Sequence, residues 1–127
     1  MFSIAEDQTI HLTRGDVATL EVMTNTSNNE PYIFKANDVV RFKVFEKKQC
    51  ESVVFCKDVV VDNETTTVDV QLDKGDTKFG NYINKPVEYW YEIEVNPDTY
   101  PQTIIGYDSR GPKVLRLYPE GGDPDEH

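Results

Sequence analysis

The segment Val87–Val95, with the sequence VEYWYEIEV, contains the pattern that decides the fold of this chain. Apolar and polar side chains alternate along it, and a period of two residues is typical of a β-strand with one buried face. The predicted inner face consists of Val87, Tyr89, Tyr91, Ile93 and Val95, and the outer face of Glu88, Trp90, Glu92 and Glu94. The segment therefore predicts a strand that covers an apolar core.

Similar segments recur along the chain, with turn-forming residues between them. The other predicted strands are Thr9–Leu12, Val17–Met23, Val39–Phe45, Ser52–Val61, Thr65–Leu72, Gln102–Tyr107 and Lys113–Tyr118. No segment has a convincing helical period. About eight short strands at regular spacing indicate an all-β fold, and we expect an antiparallel, immunoglobulin-like β-sandwich.

The chain length of 127 residues suits one domain. We expect residues 1–118 to form a single β-sandwich domain. Residues 119–127 are polar and rich in glycine and acidic side chains, so we expect a flexible acidic C-terminal tail there.

The alternation slips within Ser52–Val61, near Lys57 and Asp58. A β-bulge at that point would place Val54 and Cys56 on the same face as Val59 and Val61. Cys56 is therefore expected to be a small buried side chain, and Cys50 an exposed thiol in a loop. With no export signal at the N-terminus, a structural disulfide between the two is not expected.

The charge of the chain argues against two classes of partner. Acidic residues outnumber basic ones 23 to 13, which gives a net charge of −10. Nucleic-acid binding and docking on an anionic membrane both need clustered Lys and Arg, so we expect neither. No apolar run approaches the ~20 residues that a membrane-spanning helix requires. The acidity instead favours a protein partner with a basic surface.

Residues for catalysis, for a cofactor or for a metal site are not identified in the sequence. The only histidines are His11, on the outer side of a predicted strand, and His127, at the C-terminus. The chain has no glycine-rich phosphate-binding motif. Pairs of acidic residues such as Asp73 and Asp76 are interpreted as hairpin ends, because such turns cannot supply the oxygens of a Ca²⁺ site. We therefore expect a protein that is not an enzyme and has no cofactor.

Trp90 is the one candidate for a binding surface, because it lies on the predicted outer face among glutamates. An exposed tryptophan can stack on a sugar ring or anchor a protein contact. Tyr100, Tyr107 and Tyr118 could converge on it, which would favour an immunoglobulin-like binding module for carbohydrate or a cell surface. In the alternative interpretation, another part of the chain covers Trp90.

The tripeptide Arg14-Gly15-Asp16 matches an integrin-recognition motif. It also reads as a tight turn between two strands, since glycine is favoured where the chain reverses. We prefer the turn.

Several ordered segments resemble the N-terminal domain of phage baseplate upper proteins, which occur in phages and prophages of Gram-positive bacteria. The resemblance begins with TIHLTRGD at residues 9–16 and continues through NDVVRFKV at residues 37–44. It includes LDKGDTKFGNY at residues 72–82, in which an acid-x-x-Asp-Thr turn precedes a glycine and an aromatic residue. YEIEV at residues 91–95 and TII at residues 103–105 complete the series, which covers roughly positions 9–118.

This resemblance implies a structural function. The chain would be a non-catalytic phage or prophage protein, a baseplate or tail-type module that assembles with other phage structural proteins in the bacterial cytoplasm and ends up in the virion. The chain would also be able to assemble with further copies of itself. The segment Asn84-Lys85-Pro86 departs from the family pattern, and family members usually continue beyond this domain, so a free-standing prophage-encoded protein is expected.

Overall fold

The computed structural model describes residues 1–26, 28–47, 51–80, 83–99, 102–105 and 113–120, and only the backbone of Glu51. All regular elements in these ranges are β-strands, which confirms the all-β prediction. They are β1 (Phe2–Ile4), β2 (Ile10–Thr13), β3 (Ala18–Val22), β4 (Val39–Lys47), β5 (Glu51–Val60), β6 (Val68–Leu72), β7 (Val87–Val95), β8 (Gln102–Ile105) and β9 (Lys113–Tyr118). β1 is absent from the predicted strands because its three residues are too few to show an alternating pattern.

The strands form a large sheet and a small one. β1, β2, β9, β7, β4 and β5 lie in this order in a seven-stranded sheet, in which β8 also pairs with β7. β3 and β6 form a separate two-stranded sheet. Of the described strand pairs, β2 and β9 run parallel and the others antiparallel. The large sheet is therefore mixed, whereas the sequence predicted a fully antiparallel fold. Alternation within single strands cannot show this, because β2 and β9 come from distant parts of the chain.

The two sheets pack face to face over one core. The buried side chains of the small sheet belong to the same apolar cluster as those of β2, β4, β7 and β9. From the small sheet they are Ala18, Leu20, Val22, Val68, Val70 and Leu72. A two-stranded ribbon has little stability alone, so β3 and β6 depend on this contact. The arrangement confirms the predicted β-sandwich.

The bulge in β5 lies nearer the start of the strand than the sequence predicts. The register of β5 against β4 shifts at Val54, which has no partner on β4. Lys57 and Asp58, in contrast, pair regularly with Phe42 and Arg41. The predicted bulge at Lys57 is therefore wrong. The alternation slips there because Lys57 occupies an inward position, from which its Nζ donates a 2.7 Å hydrogen bond to Asp76.

This register determines the position of Cys56. It lies on the outer face of β5 and is exposed, so the expectation of a buried cysteine is wrong. Phe55 faces inward instead, and its ring packs on Phe42 and Phe79. Cys50 lies outside the described residues.

Thr77 joins the turn after β2 to the turn after β6. Its side chain is fully buried. The hydroxyl donates a 2.8 Å hydrogen bond to the carbonyl of Asp16 and accepts a 3.0 Å hydrogen bond from the amide of Gly15. Gly15 has a φ of 89°, a conformation that glycine adopts without strain. The Arg-Gly-Asp segment is thus a tight turn, held by a threonine about sixty residues away in the chain.

Of the residues after Thr77, one packs in the core and another brings the backbone close to the side chain of Tyr89. Phe79 is buried, and its ring centroid lies 5.6 Å from that of Phe55 and 5.3 Å from that of Tyr89. Gly80 has a φ of 74°, and a Cβ atom there would overlap the hydroxyl of Tyr89. The Asp-Thr turn with its following aromatic residue and glycine therefore serves packing.

The buried hydroxyl of Thr77 leads to a prediction about stability. Thr77→Val keeps the shape of the side chain but leaves the Asp16 carbonyl and the Gly15 amide without their partner. We expect the free energy of unfolding to fall by about 1–3 kcal/mol, measured by chemical denaturation. Thr19→Val, on the exposed face of β3, is the control and should change it by no more than about 0.5 kcal/mol. Equal stability of the two variants would contradict this role of Thr77.

Candidate functional site

Trp90 lies on the outer face of the large sheet, as predicted from the alternation in β7. Tyr89 and Tyr91 on either side of it are buried in the core, while Trp90 itself is half-buried. Its neighbours across the sheet are Phe45 on β4 and Val114 on β9. Neither interpretation of Trp90 is met in full, since the indole is neither freely exposed nor fully covered.

The neighbours of Trp90 form an apolar row across the outer face. The row runs from Val114 through Trp90 and Phe45 to Val53 on β5, following the register of the strand pairs. Phe45 is only 3% exposed, whereas Val53 at the end of the row is 54% exposed. The row is therefore covered in its middle and open to solvent at the edge of the sheet.

Ion pairs flank this row on both sides. Glu88 lies 3.2 Å from Arg116, and Glu94 lies 3.2 Å from Lys43. Glu92 is 4.0 Å from the same lysine, and its pKa is raised, first by burial and second by the charge of Glu94. The three glutamates share the outer face as predicted, and each is placed against a cation of a neighbouring strand.

Arg41 links β4 to β5 and to the turn after β7. Its guanidinium donates hydrogen bonds of 2.7 and 2.9 Å to the two oxygens of Asp58 and one of 3.1 Å to Asp98. The bidentate hydrogen bonds from Arg41 hold the pKa of the Asp58 carboxyl below its usual value. The charged part of this face thus consists of bonds between strands.

The predicted convergence of aromatic side chains on Trp90 is not found among the described residues. Tyr118 lies on the same face, but its hydroxyl is 2.9 Å from Nδ1 of His11 and its ring lies beside that imidazole. Along β9 it is four residues from Val114, or about 13 Å at 3.3 Å per residue. Tyr100 and Tyr107 lie outside the described residues.

β5 forms one end of the large sheet, and no described strand pairs with its outer edge. It is ten residues long, whereas β1 at the opposite end has three. Val53 and Val60 on β5 are 54% and 56% exposed. Long edge strands with exposed apolar side chains are able to pair with another chain. The sequence contains this strand but gives no sign of its position at the edge.

A second feature is a groove of about 640 Å³ between the segment after β3 and strand β8. Its polar lining consists of Thr24, Asn25, Thr26, Tyr32, Gln102 and Thr103. This groove could not be predicted from the sequence, because its residues come from separate segments and match no motif. Only the register of β7 with β8 brings Gln102 and Thr103 beside the other residues.

The remaining candidates from the sequence are tied into the fold. Arg14 donates a 3.2 Å hydrogen bond to the carbonyl of Lys78 and lies 3.6 Å from Glu120, one of the residues assigned to the tail. Asp76 accepts hydrogen bonds from Lys57 and from the amide of Asp73. The turn that holds them joins β6 of the small sheet to β7 of the large one, so the interpretation of these acids as a hairpin end is wrong. Arg14 and Asp76 therefore serve local structure.

Groups of three or more His, Cys, Asp or Glu side chains suited to a metal ion are not found among the described residues. In the same ranges, no helix is long and apolar enough to cross a membrane. Comparison of the chain with known protein families, with curated proteins and with solved structures found no match.

The pair formed by Lys57 and Asp76 leads to a prediction about pH. The hydrogen bond from Lys57, and after it that from the Asp73 amide, lowers the pKa of Asp76 in the folded protein. A lowered pKa contributes stability above the pKa of the unfolded chain, about 4, and this contribution is lost as the pH falls further. Asp76→Asn should therefore lower the free energy of unfolding at pH 7, by about 0.5–1.5 kcal/mol, and flatten its decline below pH 4.

Denaturation between pH 7 and pH 2.5 measures this effect. Asp69→Asn, an exposed carboxylate on β6, is the matched control and should leave both quantities close to those of the parent protein. An acid limb that is the same in Asp76→Asn and in the parent would contradict the assignment.

Proposed function

We propose that this chain is a non-catalytic structural protein of a phage or prophage, a baseplate or tail-type module that acts through protein–protein contacts. Its partners would be other phage structural proteins, with copies of the same chain as a further contact. It would assemble in the bacterial cytoplasm and end in the virion. We further propose that the sandwich is of the immunoglobulin-like kind.

The open edge of β5 is the observation that supports this proposal most directly. An extended segment of a partner can add to such an edge through main-chain hydrogen bonds, while side-chain contacts select the sequence. Val53 and Val60 would supply those contacts from the outer face. Val53 also ends the apolar row that leads to Trp90, so an added strand would extend a surface that is already apolar.

The charge of the chain sets the chemistry of the partner. A net charge of −10 opposes close approach of a second copy at low ionic strength and attracts a basic segment. We therefore propose that the strand added at β5 comes from a different structural protein and bears Lys or Arg side chains. Neither nucleic acid nor a membrane is a proposed partner.

The ionisable side chains support a non-catalytic role, because in the described ranges many of them bond within the fold. His11 is bonded to Tyr118, Asp58 to Arg41 and Asp76 to Lys57. Each pair joins different strands or turns. Such pairs fix strand positions, and their loss is expected to change stability first.

The second candidate is a binding module for carbohydrate or a cell surface that uses Trp90. The half-buried indole between Phe45 and Val114 leaves less ring surface for stacking than a free tryptophan would. Because Trp90 is the only tryptophan, quenching of its fluorescence by glycans would favour this candidate. No change in emission is what the structural proposal predicts.

Particles from the organism that encodes this chain provide the test. After prophage induction, particles are purified by density gradient and their proteins are identified by mass spectrometry. The proposal requires the chain in the particle fraction at a fixed ratio to the other structural proteins. Recovery in the soluble fraction alone, with intact particles that lack it, would overturn the proposal.

The edge of β5 leads to a prediction for the same assay. Val60→Lys introduces a positive charge where a basic strand would bind, and we expect at least about tenfold less of this variant in particles. Val60→Glu should be affected less, because it keeps the attraction for a basic partner. Val17→Lys is the control, since Val17 is 67% exposed and lies outside β5. Equal incorporation of all three variants would show that β5 is not the docking edge.

A further inference from the structure

We propose that the groove between the segment after β3 and strand β8 binds a neutral saccharide. This site is separate from the edge of β5. β8 adds to β7 on one side, and β5 is reached from β7 across β4 on the other. The proposal therefore does not depend on the structural function proposed above, and both can hold in one protein.

The size and lining of the groove suit a small ligand. Its volume of about 640 Å³ falls within the range of roughly 300–1,000 Å³ that is usual for ligand sites. Val95, which is buried, and Ile104, which is partly buried, provide apolar surface, and Tyr32 provides an aromatic ring. A sugar offers both kinds of partner, since its C–H groups pack on apolar surface and its hydroxyls form hydrogen bonds.

The polar groups of the groove are available to such hydroxyls. Within the described part of the chain, the side-chain amide of Gln102, which lies opposite the inward-facing Val95, and the hydroxyls of Thr24 and Tyr32 have no hydrogen-bond partner. Amide and hydroxyl groups can both donate and accept, as can the hydroxyls of a sugar. A cluster of such groups around one groove provides directional recognition.

The lining also indicates that the ligand is uncharged. None of the described residues that line the groove has a charged side chain, although 28% of the whole chain is charged. A cationic ligand would be expected to meet a carboxylate, and an anionic one an arginine or lysine. The net charge of −10 adds general repulsion of anions. A neutral saccharide is the class that fits these conditions.

One wall of the groove is held in place before any ligand binds. The amide of Tyr32 donates a 2.9 Å hydrogen bond to the carbonyl of Thr24, and Asn25 forms a β-bridge with Pro31. Thr26 completes this hairpin through a 2.7 Å hydrogen bond from its amide to Glu30. The ring of Tyr32 packs edge-on against the buried Phe34, at 5.0 Å between centroids. Preorganisation of this kind lowers the entropic cost of binding.

Nuclear magnetic resonance titration of the ¹⁵N-labelled full chain tests the proposal. The probes are neutral trisaccharides of glucose, mannose, galactose and N-acetylglucosamine, at up to about 10 mM because few hydrogen bonds are involved. Trigalacturonic acid is the anionic comparison. We expect at least one neutral probe to shift the amides of residues 24–26, Tyr32 and 102–104, and trigalacturonic acid to shift them less.

Two variants connect the shifts to the groove. Gln102→Ala removes the amide from an exposed position on β8, and Tyr32→Phe removes the hydroxyl but keeps the ring that packs against Phe34, so neither should disturb the fold. Each should weaken binding about 2–10-fold, the usual effect of one hydrogen bond. Gln71→Ala, an exposed glutamine on β6, is the control and should bind like the parent protein. A hexasaccharide that binds at least tenfold more tightly than its trimer would indicate a surface polymer, and equal affinity a free oligosaccharide.

Three results would overturn the proposal. The first is the absence of shifts at the groove with all of the neutral probes. The second is binding that Gln102→Ala and Tyr32→Phe leave unchanged, because the ligand would then lie elsewhere. The third is equal binding of trigalacturonic acid, because the groove would then not select a neutral ligand.

Discussion

The small sheet of β3 and β6 depends on being held against the large one, and the hydroxyl of Thr77 lies where the two are joined. Two strands alone bury too little surface to be stable, so Leu20 and Val70 must pack on the side chains of β4 and β7. Thr77 bonds the turn that follows β6 to the turn that leads into β3. Lys57 adds a contact on the side of β5 through its hydrogen bond to Asp76. Both contacts fix how the small sheet lies over the core.

This arrangement leaves the large sheet covered on one face and open at β5. Edge strands that pair with any partner lead to aggregation, and proteins limit this with bulges and inward-pointing charges. β5 has both features, a bulge at Val54 and an inward-pointing Lys57. The part of the edge beyond them retains Val60, which is more than half exposed. A strand that is protected in its middle and exposes Val53 and Val60 near its two ends is suited to a selective partner.

Much of the fold could be predicted from alternation alone, because one face of each strand is buried in the shared core. Val87–Val95 has the predicted bounds, and Glu88, Trp90, Glu92 and Glu94 lie on the predicted face. The parallel pairing of β2 with β9 could not be predicted, since it depends on contacts between distant segments. The predicted position of the bulge in β5 is wrong because Lys57, a charged residue at an inward position, resembles a break in the alternation.

The functional surfaces were harder to predict because they, too, depend on contacts between distant segments. Trp90 was identified by its residue type, but its half-buried state follows from Phe45 and Val114, which only the strand register brings beside it. The groove beside β8 combines residues from separate segments and has no local pattern. The edge of β5 is a property of the sheet order and not of the strand sequence.

Hydrogen–deuterium exchange of the free chain and of the chain in purified particles tests most directly whether β5 is the docking edge. Amides on an open edge exchange with solvent, and an added strand protects them. The account predicts that the largest gain of protection on assembly falls within Glu51–Val60. Unchanged exchange in this strand, with new protection confined to other parts of the surface, would contradict it.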